Sequence, residues 1–194
     1  MQIEAVDDKK DLFEIKNVLP NKLIQEFKKI PVETAPFTKM NWQEDMPRRK
    51  LTQMPGSVLS QIHEFINDNK DAIAKYIGNN INHINTAFWY DLEGFDFSPH
   101  IDNPGVEKVM QIYLSNCPNA GTVFYNVKDE EVQVRDDDQV WHYEGPRPPL
   151  NVRKAFDFVE NTGYIMFNGK HQLHGVPNKI SKDDLRLSVY CWIN

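Results

Sequence analysis

Cysteine is scarce in this chain. Cys117 and Cys191 are the only two in 194 residues, and they form no CxxC pair. Two thiols cannot build the disulfide framework of a small secreted scaffold, so two buried free thiols in a reducing compartment are expected. Long apolar runs are missing too. No stretch approaches the roughly 20 residues that a spanning helix needs. The first ten residues, Met1 to Lys10, have no apolar core and no cleavage site, so no signal peptide is read there. A soluble, cytoplasmic protein is the expectation. Basic residues are outnumbered, 22 Lys and Arg against 28 Asp and Glu, for a net charge of −6. This disfavours a nucleic-acid partner, which is usually met by a basic face. The one compact basic cluster, Arg48-Arg49-Lys50, reads as a solvated loop. Internal repeats and low-complexity linkers are also absent.

What is present is the composition of a globular chain, 40% hydrophobic and 26% charged. The length suits one domain spanning 1–194. The first 80 residues read as mainly helical. Leu12–Ile15 is a short strand candidate. Asn21–Ile30 is a helix with Leu23, Ile24 and Phe27 on one face and Asn21 as its cap. Residues 31–56 read as loop or edge structure. Ser57–Ile77 reads as the longest helix, with Leu59, Ile62, Phe65, Ile66, Ile73 and Tyr76 at helical spacing and Asn79-Asn80 as its end.

From residue 82 the period changes to two. Ile84, Thr86, Phe88 and Tyr90 alternate, and further strand candidates follow at 95–101, 109–115, 122–127, 132–135, 139–143, 156–159, 164–167 and 185–193. Short strands with turns between them indicate a sandwich or barrel. Helices followed by a run of strands indicate an α+β, mainly β, fold with the helices buttressing one sheet.

His100-Ile101-Asp102 places an imidazole and a carboxylate two residues apart, on one face if the segment is extended. With a distant histidine they would make a two-histidine, one-carboxylate facial triad with positions left open. Six histidines and 16 aspartates give about half a His-x-Asp pair by chance, so the pair alone says little. His174, in Gly169-Lys170-His171-Gln172-Leu173-His174-Gly175-Val176-Pro177, follows the apolar run Tyr164–Phe167. His171 is the rival distal ligand, and His142-Tyr143-Glu144 is a rival His-x-acid pair. His63 and His83 read as structural. Twelve residues past His174 comes Arg186-Leu187-Ser188. Arg186 and Ser188 share a strand face with Tyr190 and Trp192, while Leu185, Leu187, Val189 and Cys191 make the other face apolar. Arg186 therefore points into an aromatic-walled interior and needs an anionic partner there. A dicarboxylate held by the guanidinium fork would supply one.

In this order the motifs resemble the iron(II)/2-oxoglutarate oxygenases, in particular the prolyl-hydroxylase-like group, from about residue 82 to the C-terminus. The residues that carry the likeness are Tyr90 ten positions before His100, then His100-x-Asp102, Ile112-Tyr113-Leu114, Ala120-Gly121, Val159–Phe167, His174 and Arg186-x-Ser188. The resemblance implies a double-stranded β-helix (jelly-roll, cupin-like) core over about 82–194. It implies Fe(II) on His100, Asp102 and His174. It implies 2-oxoglutarate held by Arg186, Ser188 and Tyr113, with Tyr90 beside it, and O₂ as the second co-substrate. His174 is preferred over His171 because it precedes Gly-Val-Pro, as the distal histidine of the family precedes a short apolar turn. Two features depart from the pattern. Only one glycine stands at Gly121, and residues 126–155 separate two strands that are usually closer. That insertion is either a substrate lid or an acidic solvated hairpin.

The implied activity is hydroxylation of a prolyl or other peptide side chain, with release of succinate and CO₂. A small-molecule or free amino-acid hydroxylase is the alternative on the same fold. A cupin-like metal-binding module without oxygenase activity is the alternative of another class. A nucleic-acid demethylase of the superfamily typically carries a second arginine six residues after the first, where this chain has Trp192.

Overall fold

The computed structural model describes residues 1–31, 35–38, 47–78, 80–134 and 140–194. The strand candidate at Leu12 extends to β2 (Leu12–Lys16) and pairs with a strand that the sequence did not announce, β1 (Gln2–Ala5). Helix α1 spans Asn21–Phe27, with Ile24 and Phe27 buried. Pro20 takes its cap position and Asn21 becomes the first helical residue, without a capping bond. Residues 31–56 hold two short strands, the edge strand β3 (Phe37–Thr38) and, inside it, β4 (Arg48–Leu51). The basic cluster Arg48-Arg49-Lys50 is therefore strand, not loop.

The single long helix expected over Ser57–Ile77 is two helices, α2 (Val58–Asp68) and α3 (Lys70–Ile77). Asn69 breaks it. Its side-chain amide donates to the Phe65 carbonyl at 2.8 Å, a local bond that competes with helical continuation. The break shifts the phase of the apolar face, so Ile73 and Ile77 are buried and Tyr76 is 55% exposed. Ser57 caps α2 by accepting from the Ser60 amide. Left-handed Gly78 ends α3. Asn79, named above as part of that end, lies outside the described residues.

The alternating segments become β5 (Ile84–Asp91), β6 (Phe97–His100), β7 (Lys108–Tyr113), β8 (Val123–Tyr125), β9 (Val132–Val134) and β10 (Trp141–Tyr143), then β11 (Val152–Ala155), β12 (Thr162–Phe167), β13 (His174–Val176) and β14 (Arg186–Ile193). They assemble into a large sheet, β1-β2-β12-β7-β14-β5-β4-β3, and a small one, β11-β8-β13-β6. Among the described residues, every neighbour pair in both sheets is antiparallel. One face of the large sheet packs Phe88, Ile112 and Val189 against the helices through Phe27, Ile62 and Ile66. The other face packs Tyr113 and Tyr164 against Phe124 and Val176 of the small sheet. This is a double-stranded β-helix with helices on the outside of the larger sheet.

Gly121 and Gly163 let backbones approach within it. A Cβ at Gly121 would stand 1.7 Å from the Phe156 carbonyl oxygen, and one at Gly163 would stand 1.9 Å from that of Gln111. The strand expected at 156–159 is instead β11, four residues earlier. Phe156 and Phe158 are buried from an irregular segment, whereas edge strand β11 leaves Val152 56% exposed and so lacks an apolar signature. Both thiols are free and buried. No described helix is long and apolar enough to cross a membrane.

Candidate metal centre and carboxylate pocket

Strand pairing brings the ligand candidates together. β13 runs antiparallel to β6 with His174 directly opposite His100, and their ring centroids are 4.4 Å apart. Asp102 lies two residues beyond the end of β6 rather than on the strand, and the chain there turns its carboxylate back to the histidines. Asp102 Oδ1 is 3.5 Å from His100 Nε2 and 3.9 Å from His174 Nε2. The three donor atoms all lie within 4.8 Å of one another.

The protonation pattern fits a divalent metal. His100 Nδ1 lies 2.9 Å from the Ser98 carbonyl, and His174 Nδ1 lies 2.8 Å from the Gln172 carbonyl. A carbonyl only accepts, so each Nδ1 carries the proton and each Nε2 offers a lone pair toward Asp102. Burial, then the neighbouring His100, pushes His174 down to about 4, so its ring is neutral at pH 7. Burial alone would raise Asp102. The two imidazoles and the Tyr190 hydroxyl beside it outweigh that and hold the carboxyl well below the usual range. Neutral imidazoles and an ionised carboxylate are what metal binding requires. Two further contacts steady Asp102. Tyr190 Oη donates to its Oδ2 at 2.7 Å, and Asn168 Nδ2 donates to its backbone carbonyl at 3.2 Å.

The triad opens on a cavity of about 450 Å³ that Arg186 also lines. Arg186 is 1% exposed, with its guanidinium over Phe158 at 4.5 Å. Its expected anionic partner is supplied by the chain itself, because Nη1 donates to Asp91 Oδ2 at 2.6 Å. Nε donates to the Ala120 carbonyl at 2.9 Å, and Nη2 reaches Thr122 Oγ1 at 3.4 Å. Arg48 also binds Asp91, through Nε at 2.5 Å and Nη2 at 3.0 Å. Asp91, Arg48 and Arg186 form one rung across β4, β5 and β14.

No family model and no curated protein matches the sequence. Solved structures do match the fold. A prolyl-4-hydroxylase of Pseudomonas putida superposes with a TM-score of 0.61 at 14% identity, covering 98% of this chain and 96% of its own. A prolyl hydroxylase of Trichoplax adhaerens, solved with a hypoxia-inducible-factor peptide fragment, gives 0.64 at 12% identity over 97% and 86%. HygX of Streptomyces hygroscopicus, solved with nickel and 2-oxoglutarate, gives 0.58 at 11% identity over 93% and 82%. The fold is that of the prolyl-hydroxylase-like iron/2-oxoglutarate oxygenases.

Within this oxygenase fold the other site expectations fare differently. Tyr113 is fully buried beside Arg186, its ring stacked on Phe158 at 4.0 Å and its hydroxyl donating to Thr122 at 3.1 Å. It touches the cavity through Thr122 rather than directly. Ser188 shares the face of Arg186, but its Oγ accepts from Gln111 Nε2 at 3.1 Å and does not line the cavity. Tyr90 belongs to the layer between sheet and helices, so it is not beside the co-substrate pocket. Strand alternation puts its neighbours Trp89 and Asp91 on the inner face instead. Among the rival ligands, His171 is half-exposed and pairs with Asp129, and His142 sits on β10. His63 bonds Thr86 and packs on His83.

The insertion shrinks once β11 is recognised as a core strand. The antiparallel pair β9–β10 packs Val132 and Tyr143 on Ile101, Tyr125 and Leu173. No described residue of 126–151 lines the cavity. The acidic run Asp136-Asp137-Asp138, with Arg135 and Gln139, lies outside the described residues. Residues that the sequence did not mark as part of the site also line the cavity, Arg48, Gln111, Thr122 and Tyr164, and Asp91 ties Arg48 to Arg186. Tyr190 had a signal, since it stands four positions after Arg186 on the same strand face.

Proposed function

We propose that the chain is an Fe(II)- and 2-oxoglutarate-dependent dioxygenase that hydroxylates a prolyl or other peptide side chain. The overall reaction converts substrate R–H, 2-oxoglutarate and O₂ into R–OH, succinate and CO₂. The observation that carries this reading is one cavity lined by two lone-pair-bearing Nε2 atoms, an ionised carboxylate and a buried guanidinium. In this reading His100, Asp102 and His174 hold the iron, which supplies the site for oxygen activation. Arg186 receives the far carboxylate of 2-oxoglutarate, with Thr122 and Tyr113 fixing the guanidinium from behind. Tyr190 orients the Asp102 carboxylate by its hydrogen bond, and Phe124, stacked on His174 at 5.2 Å, holds that ring in plane. Trp89, Phe97 and Trp192 wall the cavity and exclude water from the reacting centre.

A small-molecule or free amino-acid substrate is the second reading. A cavity of about 450 Å³ is in the range of small-molecule sites, and no described part of the insertion covers it. Succinate formation from 2-oxoglutarate, measured with Fe(II) over peptide pools and free amino acids, tests both. Substrate-stimulated succinate supports the dioxygenase and shows which substrate class stimulates it. Iron binding without succinate under any condition would leave a cupin-like metal-binding module.

A further inference from the structure

The cavity wall carries one more positive charge than the single arginine of the motif supplies. Arg48 and Arg186 both donate to the same oxygen, Asp91 Oδ2, at 3.0 and 2.6 Å, so their guanidiniums are immediate neighbours. Two cations share one carboxylate, which leaves a net charge of +1. Both groups are withdrawn from bulk solvent: Asp91 is fully buried, and the Arg48 side chain is only 10% exposed. Arg48 lies over the rings of Phe95 at 4.3 Å and Trp89 at 4.9 Å, and both arginines line the cavity that the metal triad opens on. Among the described residues nothing accepts a hydrogen bond from Arg48 Nη1. An uncompensated cation in such a place is costly, and a single further carboxylate would neutralise it.

We propose that Arg48 is a second co-substrate-binding residue: it and Arg186 together clamp the far carboxylate of the 2-oxo acid, with Asp91 as the internal counter-ion that keeps both guanidiniums against the cavity wall. The proposal rests on the dioxygenase reading above. The charges then close. Iron(II), Asp102, the two arginines, Asp91 and the dianionic co-substrate sum to zero, so the loaded cavity offers no charge to the substrate and accepts a neutral group. Arg48 comes from β4, a strand that precedes the β-helix core in sequence, so the clamp joins the N-terminal segment to co-substrate choice. Its position opposite Asp91 is set by strand register and not by a local motif.

The test compares two ligands on the anaerobic Fe(II)-loaded protein by calorimetry: 2-oxoglutarate, and 2-oxopentanoate, which has the same chain but a methyl in place of the far carboxylate. Arg48→Met keeps the apolar contact with the rings, and Arg48→Lys keeps the charge without the fork. Loss of a charged hydrogen bond should weaken 2-oxoglutarate about ten- to hundredfold in Arg48→Met, and less in Arg48→Lys. Binding of 2-oxopentanoate should be unchanged, so the preference between the two ligands narrows. A purely structural role for Arg48 would weaken both ligands equally or neither, and an unchanged preference in both variants overturns the proposal. Failure of the wild-type protein to bind 2-oxoglutarate at all would overturn the dioxygenase reading itself, and the clamp with it.

Discussion

Tyr190 Oη donates a 2.7 Å hydrogen bond to Asp102 Oδ2, from the last strand of the large sheet to the carboxylate of the candidate metal site. Tyr190 is four residues after Arg186 on the same strand face, so one strand orients the metal-site carboxylate and contributes to the carboxylate pocket. Partners of metal ligands typically contribute about ten- to a hundredfold in affinity. Tyr190→Phe should therefore weaken Fe(II) binding by about that factor while leaving the melting temperature of the metal-free protein nearly unchanged. A metal titration on the two proteins checks it. Equal affinities would mean that the phenol plays no part in holding Asp102.

The two candidate distal histidines are three residues apart and separate cleanly. His174 is buried opposite His100, and His171 is half-exposed against Asp129. His100→Ala, Asp102→Ala and His174→Ala should each abolish stoichiometric Fe(II) binding, and His171→Ala should not. Iron retention in His174→Ala together with loss in His171→Ala would assign the wrong histidine.

Gly163 permits a close approach between β12 and β7 in the large sheet, where a Cβ would meet the Gln111 carbonyl at 1.9 Å. Neither backbone can move without breaking ladder hydrogen bonds. Gly163→Ala should destabilise by about 1–3 kcal/mol or more. For a chain of this length each kcal/mol lowers the melting temperature by about 2–4 °C. Gly169→Ala is the control, since a Cβ there meets nothing within 4 Å. Matching melting temperatures in the two variants would show that the sheet relaxes around the added methyl.

The parts of this site that were legible in the sequence are those set by local spacing. The Arg186 face follows from strand period and stands where alternation puts it, whereas Asp102 reaches His100 by a turn of the chain just past the end of β6. Tyr90 shows the limit. Its distance from His100 resembled a family motif, but alternation along β5 turns Trp89 and Asp91 inward and Tyr90 toward the helices. Asp91 and Arg48 were not legible because their meaning lies in register across three strands, 43 and 95 residues apart in sequence from their partners. Arg48 in particular had the composition of a solvated charge run. The strand at 152–155 was missed for a related reason. An edge strand with exposed outer residues, Val152-Arg153-Lys154-Ala155, lacks the apolar alternation that marks a half-buried one, while the buried Phe156 and Phe158 beside it carry that mark without being strand.

The central claim is that His100, Asp102 and His174 hold Fe(II) where 2-oxoglutarate chelates it, with Arg186 on the far carboxylate. The most direct measurement is a titration of 2-oxoglutarate into the anaerobic Fe(II) protein, following the visible charge-transfer band expected of the chelate. The account predicts a band that saturates in the wild type and is absent in His174→Ala. In Arg186→Ala it should appear only at concentrations at least tens of fold higher, as expected when one partner of a buried ion pair is removed. Bound iron that gives no band at any 2-oxoglutarate concentration, or an unchanged titration in Arg186→Ala, would contradict it.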